Sequence, residues 1–326
     1  MLGATARSPN GQNHKGRDTM KASYMEKQGG PEVLKYGDLP DPVAGPGEIV
    51  VDIHVASING ADWKVRAGHY SEMTEFPYVL GRDYSGVVAE VGEGVTDFEV
   101  GDPVFGVCDA GQEGTYAEKI AVKASITARK PSSLSHKEAA TLALTGLTAL
   151  VSIEDTIKLQ PGETILIQGG AGGVASFAIQ LAKHIGARVI TTTSAANIDY
   201  LRNLGADEII DYNAQDFTEI VSECDAVFET VGGDVTQRSF QVVKSGGRVA
   251  SIASGPKAPE SPRADVRSLR PAVGRDRPHL ERIVELFEAG AIQMPMITGY
   301  PLSEAEAAHR VSEGRHLRGK LVLEIR

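Results

Sequence analysis

The stretch from Thr164 to Ala253 constrains the fold more than any other part of the chain. Short runs rich in valine and isoleucine alternate there with helical patterns. TILIQG (164–169) precedes a helix over 173–185, and RVITTT (188–193) precedes one over 196–204. EIIDY (208–212) is followed by a helix near 217–223, AVFET (226–230) by one near 235–243, and RVASIA (248–253) closes the series. Such continuously apolar strands are buried on both faces, and their alternation with helices specifies a parallel, doubly wound α/β sheet. One more helix is expected near 279–289.

The first strand–helix junction reads GGAGGVA. Gly170, Gly172 and Ala175 fit the G-x-G-x-x-G/A pattern of a dinucleotide loop, in the strand–turn–helix context that gives the pattern meaning. Gly170 is expected to permit the tight turn and Gly172 to let the backbone approach a pyrophosphate. Ala171, Gly173 and Val174 complete the loop, and the N–H groups at the helix start attract anions. Ala175 falls where helix packs closely on strand. The alternative is a glycine turn that only joins strand to helix.

NAD-binding sheets usually carry Asp or Glu about 20 residues further on, to hold the ribose 2′-hydroxyl. Here the corresponding strand end reads ITTTSAAN (190–197), with no acid. Thr192, Thr193, Ser194 and Asn197 would not repel a 2′-phosphate, so NADPH is the expected cofactor. The same hydroxyls would also serve to cap the next helix, and Ser194 could do either job.

The N-terminal part differs. From Met20 to about Lys130, alternating runs such as EIVVDIHVASI (48–58), YSGVVAEVG (84–92) and AEKIAVKA (117–124) are separated by Gly/Pro turns, which reads as an all-β, partly barrel-like module. A helix follows from residue 136, with Ser135 as its N-cap. The C-terminal IQMPMITGYPL and KLVLEIR are β-rich again and are expected to pair with the first module. The first nineteen residues are polar, lack the apolar core of a secretory signal, and read as a disordered extension.

The chain has 326 residues and a formal net charge of −10, which disfavours a nucleic-acid partner. Its two cysteines, Cys108 and Cys224, form no CxxC pair, so neither a disulfide framework nor a thiolate metal site is expected. A reducing, cytoplasmic setting is the simplest. The longest nearly apolar run, 139–153, is shorter than a bilayer span, so no membrane partner is expected.

Several motifs together resemble the zinc-free quinone oxidoreductase (zeta-crystallin-like) and enone reductase branch of the medium-chain dehydrogenase/reductase superfamily. They are Gly162-Glu163-x-x-Leu166, the 170–173 loop and Gln180-x-x-Lys183; VASINGADWKVRAGHY (55–70); LGRDYSGVVAEVGEGVTDFEVGDPVFG (80–106); and HLRGKLVLEI (316–325). Ala175 and Gly60 stand where the family usually has glycine and proline. The resemblance implies a GroES-like β-barrel catalytic domain (20–142 with 290–326), a Rossmann domain (143–289) and a homodimer. It also implies cofactor contacts at Thr145, Thr148, the 170–174 loop, Ser194, Asn197, Tyr212, Val231, Gly232, Ile252 and Ala253. Arg315 or Arg318, with Lys320, would supply the positive charge that the 194–197 turn lacks.

Zinc-dependent relatives carry ligands at positions that correspond here to the neighbourhood of Asn59, to Arg82 and to Thr141. None of these is an ordinary zinc ligand. Without zinc, hydride transfer needs an acceptor already activated by conjugation, such as a quinone or an α,β-unsaturated carbonyl compound, and protein donors for the oxygen that becomes negative. Asn59, Asp62 and Lys64 align with the family's active-site segment. Lys64 could bond the nicotinamide ribose or the developing enolate; alternatively it is a surface lysine paired with Asp62 or Glu75. Asp62 could orient Lys64 or satisfy a turn, and Tyr84 could line the pocket or pack. An enoyl-thioester reductase and a non-catalytic NADPH-binding protein are the competing functions. The arginines of 261–282 (Arg263, Arg267, Arg270, Arg275, Arg277 and Arg282) read foremost as a solvated loop pairing with the acidic surface, or else as an anion-recognising lid or a dimer contact.

Overall fold

The computed structural model describes residues 19–70, 72–314 and 317–326. Residues 1–18, and with them almost all of the expected extension, lie outside this set; Thr19 opens the first strand.

The segment 164–269 forms a six-stranded sheet in which every neighbouring pair is parallel. Numbered from the strand Thr164–Ile167, its spatial order is 3-2-1-4-5-6, the doubly wound order. The side chains show why both faces are apolar. Ile165 and Ile167 pack with Phe177 and Ala178 of the helix Gly173–Ile185, whereas Leu166 between them packs with Phe217, Phe240 and Val249 on the other face. The helices expected near 217–223 and 235–243 are shorter, Phe217–Ile220 and Asp234–Ser239, and the last strand is longer, Val243–Ser251.

A seven-stranded sheet supplies the barrel-like module. Glu48–Ile58 pairs antiparallel with Asp83–Val91, Lys119–Lys123 and the C-terminal strand Lys320–Glu324. The tail therefore returns to the first module. A three-stranded antiparallel sheet of Thr19–Met25, Leu34–Pro40 and Tyr78–Val79 flanks it.

The helix His136–Leu150 starts on a capping box between Ser135 and Glu138. It continues as a wider π-helical stretch, Val151–Ile157. The 22-residue span is thus long and apolar enough to cross a bilayer, contrary to the shorter run read from sequence, yet most of it is buried inside the protein. It packs against the helix Gly173–Ile185 and the strands of both large sheets, which couples the two modules.

Two helices went unanticipated: Gly60–Arg66, in the module read as all-β, and, in the tail read as β-rich, Ala305–Glu313. Its buried His309 accepts at Nδ1 from Arg66, 3.2 Å away, because a guanidinium can only donate. Nε2 therefore carries the proton toward the Tyr116 hydroxyl at 3.2 Å, and Tyr116 donates to Asp62 at 2.9 Å. Burial, and then the neighbouring Arg66, push the His309 pKa down to about 3. The folded state thus holds fewer protons here than the unfolded chain between pH 3 and 6.5, so this contribution is complete above 6.5 and is lost as the pH falls. Relative to His309→Gln, the wild type should lose about 2 kcal/mol between pH 7 and pH 5 in urea unfolding; parallel pH profiles would contradict a neutral, buried His309.

Candidate active site

In a doubly wound sheet, ligands bind beyond the carboxyl ends of the strands, where the chain order reverses. Here the reversal lies between Thr164–Ile167 and Cys224–Glu229, and the segments 168–173 and 230–233 leave the sheet on either side of it. In the glycine loop, Gly169 rather than Gly170 makes the turn, with φ +69°. Gly170 is required for a different reason: a Cβ there would lie 2.2 Å from Thr191 Oγ1. A Cβ on Gly173 would crowd Thr145 Cγ2 at 3.3 Å and touch Lys320 Cδ at 3.5 Å. The helix Gly173–Ile185 begins on Gly172, which has no side chain to cap the first N–H groups. An anion can take them.

On the other side, the buried Glu229 was missed in the sequence. Its carboxylate accepts from the Val231 and Gly232 N–H groups at 2.6 and 2.7 Å, and from the Thr236 and Ser251 hydroxyls at 2.8 and 2.9 Å. The backbone oxygen of Glu229 accepts from Ile252 N, and Ala253 N donates to Ser251 Oγ. One carboxylate thus shapes both the 231–232 turn and the 252–253 strand exit. An acid ending an apolar strand, followed by Thr-Val-Gly-Gly, was the available signal.

The remaining cofactor candidates line up around these loops. Val174 follows the helix start, while the Ala171 carbonyl accepts from Gly319 N at 3.3 Å. The Thr145 and Thr148 hydroxyls donate to their own helix at Thr141 and Leu144. Thr192 is tied into the strand end, accepting from Gly169 N and donating to Gln168. Buried Thr193 accepts Tyr212 N at its carbonyl, and half-buried Asn197 donates to Ser194 Oγ. Arg318 stacks on Tyr200, 4.5 Å from the ring centre and one helical turn beyond Asn197, so a cation does stand at this turn. Arg315 lies outside the described residues.

Lys320 corrects the sequence expectation. It is buried, and its Nζ donates to the Ile58 carbonyl at 2.8 Å and to Asn59 Oδ1 at 2.5 Å, away from the 194–197 turn. Asn59 in turn donates to Asp83 at 2.8 Å, and Asp83 also accepts from Ser57 and from Leu144 N. Burial lowers the Lys320 pKa, with Asp83 and Asp62 acting against it. The strand-end backbone cannot close around Lys320 without this charge being matched, and Asn59–Asp83 provides the match.

Asn59 also opens the short helix Gly60–Arg66, whose Asp62 accepts from Asn59 N at 2.8 Å. Burial, reinforced by Glu113, pushes the Asp62 carboxyl up to about 7. Beside it lies a cavity of about 250 Å³, walled by Val65, Tyr70, Met73, Tyr78, Arg82, Cys108, Glu113 and Arg275, among others. Arg82 pairs with Glu113 at 2.6 Å and approaches Asp62 to 3.7 Å. Lys64 is half-buried, with Nζ 5.8 Å from the Trp63 ring centre. Tyr84 does not line the cavity: it is fully buried in the barrel core and bonds Thr127 at 2.8 Å. The arginine segment does pair with surface carboxylates, as expected, but it also contains the strand Arg267–Leu269 and sends Arg275 to the cavity. Arg277 bonds the Thr127 carbonyl at 2.7 Å and Asp97 at 2.5 Å, Arg263 pairs with Asp265, and Arg275 enters the cavity wall.

Residues 45–132 match the alcohol dehydrogenase GroES-like domain and residues 204–323 the zinc-binding dehydrogenase family. The chain is 30% identical to the chloroplast envelope quinone oxidoreductase homolog of Arabidopsis thaliana, over 92% of this chain and 97% of that protein. It is 31% identical to the NADPH-dependent alkenal/one oxidoreductase of the same plant, over 93% and 79%. The Escherichia coli quinone oxidoreductase complexed with NADPH superposes with a TM-score of 0.86 at 28% identity, covering 94% of this chain and all of that one. The chain belongs to the medium-chain dehydrogenase/reductase family. Within it, this member is an oxidoreductase of the quinone oxidoreductase and enone reductase branch.

The zinc that the second family's description implies does not fit the residues of this member. At the positions in question stand Arg82, already a cation, and Asn59, whose oxygen holds the Lys320 ammonium. A dication there would face two positive charges without a thiolate or imidazole to bind it. Among the described residues, no cluster of His, Cys, Asp and Glu could hold a metal.

The Glu229 carboxylate holds the side of the crevice opposite the glycine loop, so Glu229→Gln should set an amide against two backbone N–H donors. We expect a loss of about 2–4 kcal/mol in urea unfolding and weaker dinucleotide binding in a fluorescence titration. Unchanged stability and affinity would show that this carboxylate does not shape the loops.

Proposed function

We propose that this chain is an NADPH-dependent, zinc-independent reductase of quinones or α,β-unsaturated carbonyl compounds. The carrying observation is a run of contacts, apolar at the Lys320 stem and polar at its ammonium, that links the glycine loop to the helix bearing the cavity-wall residue Val65. The Lys320 stem lies against Gly173, its ammonium holds Asn59, and the helix that Asn59 opens carries Asp62 and Lys64. A dinucleotide on the loop and an acceptor in the cavity would thus be referenced to one rigid knot, which is what hydride transfer requires.

The uncapped helix N-terminus would take the pyrophosphate, and Ser194, Asn197 and Arg318 the adenosine ribose with its 2′-phosphate. Val231, Gly232, Ile252 and Ala253, at the strand ends opposite, would hold the nicotinamide half. When bound, the cofactor supplies a hydride to the acceptor carbon distal to the carbonyl. Lys64 assists by donating to the oxygen on which negative charge develops. Val65 and Met73 restrict water in the cavity. A proton at the α-carbon completes reduction of an enone. The names of the relatives, a quinone oxidoreductase homolog and an alkenal/one oxidoreductase, support this acceptor class. The NADPH complex of a structural neighbour supports the cofactor.

Stopped-flow NADPH oxidation against a panel of quinones and enones tests the reading. Turnover of at least one conjugated acceptor is expected, with a fall of about 10–100-fold in kcat for Lys64→Ala. Arg318→Ala should weaken NADPH while sparing NADH. Failure with every acceptor, or preference for NADH in the wild type, would overturn the assignment.

A further inference from the structure

The cavity wall carries two arginines, Arg82 and Arg275, and two carboxylates, Asp109 and Glu113, but they are not paired one to one. Glu113 is neutralised by Arg82, its partner at 2.6 Å. Asp109, also in the wall, is paired outward with Lys123. That leaves Arg275. Its described partners are two backbone carbonyls: Nε donates to Cys108 at 3.0 Å and one Nη to Val273 at 3.1 Å. A guanidinium carries five N–H donors in a planar fork. Two are directed at these carbonyls, and no carboxylate among the described residues lies within ion-pair distance of the others.

Such a charge is costly to hold inside a wall. Burial, and then the like charge of Arg82, weaken the hold of Arg275 on its proton, with Asp83 and Asp109 acting against them from beyond ion-pair distance. The Cys108 and Val273 carbonyls fix the orientation of the fork, so the side chain is braced without a direct ion pair among the described residues. Braced guanidiniums with unused donors bind carboxylates, commonly through two parallel bonds. The neighbouring Arg82 adds field but no free fork, because Glu113 occupies it. The cavity volume, about 250 Å³, suits a compact acceptor.

We propose that the acceptor carries a carboxylate, and that Arg275 binds it inside the cavity. This rests on the reductase reading above and narrows its substrate class to small, acidic conjugated carbonyl compounds. Arg275 comes from the strand-side segment 261–282, whereas Arg82 and Glu113 come from the barrel. Carboxylate binding would therefore bridge the two modules across the reacting centre.

The test compares 4-oxopent-2-enoate with its methyl ester, which share the alkene and ketone. The ester is the more electrophilic alkene, so a preference for the acid must come from the protein. The wild type should favour the acid in kcat/KM by about tenfold or more. Arg275→Gln should collapse that ratio, and Arg275→Lys should restore part of it. In parallel, calorimetry of the NADPH-loaded protein should show binding of 4-oxopentanoate, weaker binding of its methyl ester, and loss of the acid's advantage in Arg275→Gln. A wild type that favours the ester, or an acid preference that survives Arg275→Gln, would overturn the proposal. If neither acceptor turns over, the reductase reading fails on this pair. The calorimetric arm then decides carboxylate binding alone: an acid advantage that Arg275→Gln abolishes supports it, and equal binding of acid and ester refutes it.

Discussion

The buried ammonium of Lys320 is the interaction on which the rest of the architecture depends. Its Nζ holds Asn59 and the end of the strand Glu48–Ile58, while its stem lies against Gly173 at the start of the dinucleotide helix. The chain just before it is equally committed. Gly319 forms a β-bridge with Gly172, at a positive φ of 82° and with the Met296 carbonyl where a side chain would begin. A buried, unpaired ammonium would cost several kcal/mol. Here that cost is offset by the Asn59–Asp83 pair, and only when the C-terminal strand, the barrel and the glycine loop come together. The charge thus works as a registration device: the modules fit in the one arrangement that satisfies it.

Two further carboxylates act in the same way on either side. Glu229 gathers the turn at 231–232 and the strand exit at 252–253. Asp62 closes the capping box of its helix and receives the chain of donors from Arg66 through His309 and Tyr116. The loops and the helix beside the cavity are therefore fixed from behind, the condition for electrostatic stabilisation without reorganisation during reaction. On the reading proposed above, with the Arg82 guanidinium paired to Glu113 in the wall, fixed side-chain charges carry the electrostatics of the site.

Much of this was legible in the sequence, and the limits have physical reasons. The doubly wound sheet was readable because its strands are apolar on both faces and its helices carry a 3.6-residue period; Arg188–Thr193 and Gly173–Ile185 fall where the pattern puts them. The glycine loop was readable as a motif, but not the division of labour in which Gly169 turns and Gly170 makes room for Thr191. The helix Ala305–Glu313 escaped because nine alanine- and glutamate-rich residues bury only a narrow face. Lys320, Glu229, Tyr84 and Arg275 share a deeper reason. Each has a deciding partner far along the chain, Asn59 for Lys320, Ser251 for Glu229, Thr127 for Tyr84 and Cys108 for Arg275, and only the closed fold decides whether a charged or hydroxyl group faces a cavity, a core or a counter-charge.

The central claim is that a hydride passes directly from the dinucleotide on this loop to a conjugated acceptor in this cavity, without a metal. The most direct measurement uses NADPH deuterated at C4 of the nicotinamide, chelator-dialysed protein and an enone, with the product read by mass spectrometry and NMR. The account predicts one deuterium at the carbon distal to the carbonyl, delivered from a single face of the cofactor, at an undiminished rate. A product without label, or turnover that returns only when zinc is added, would contradict it.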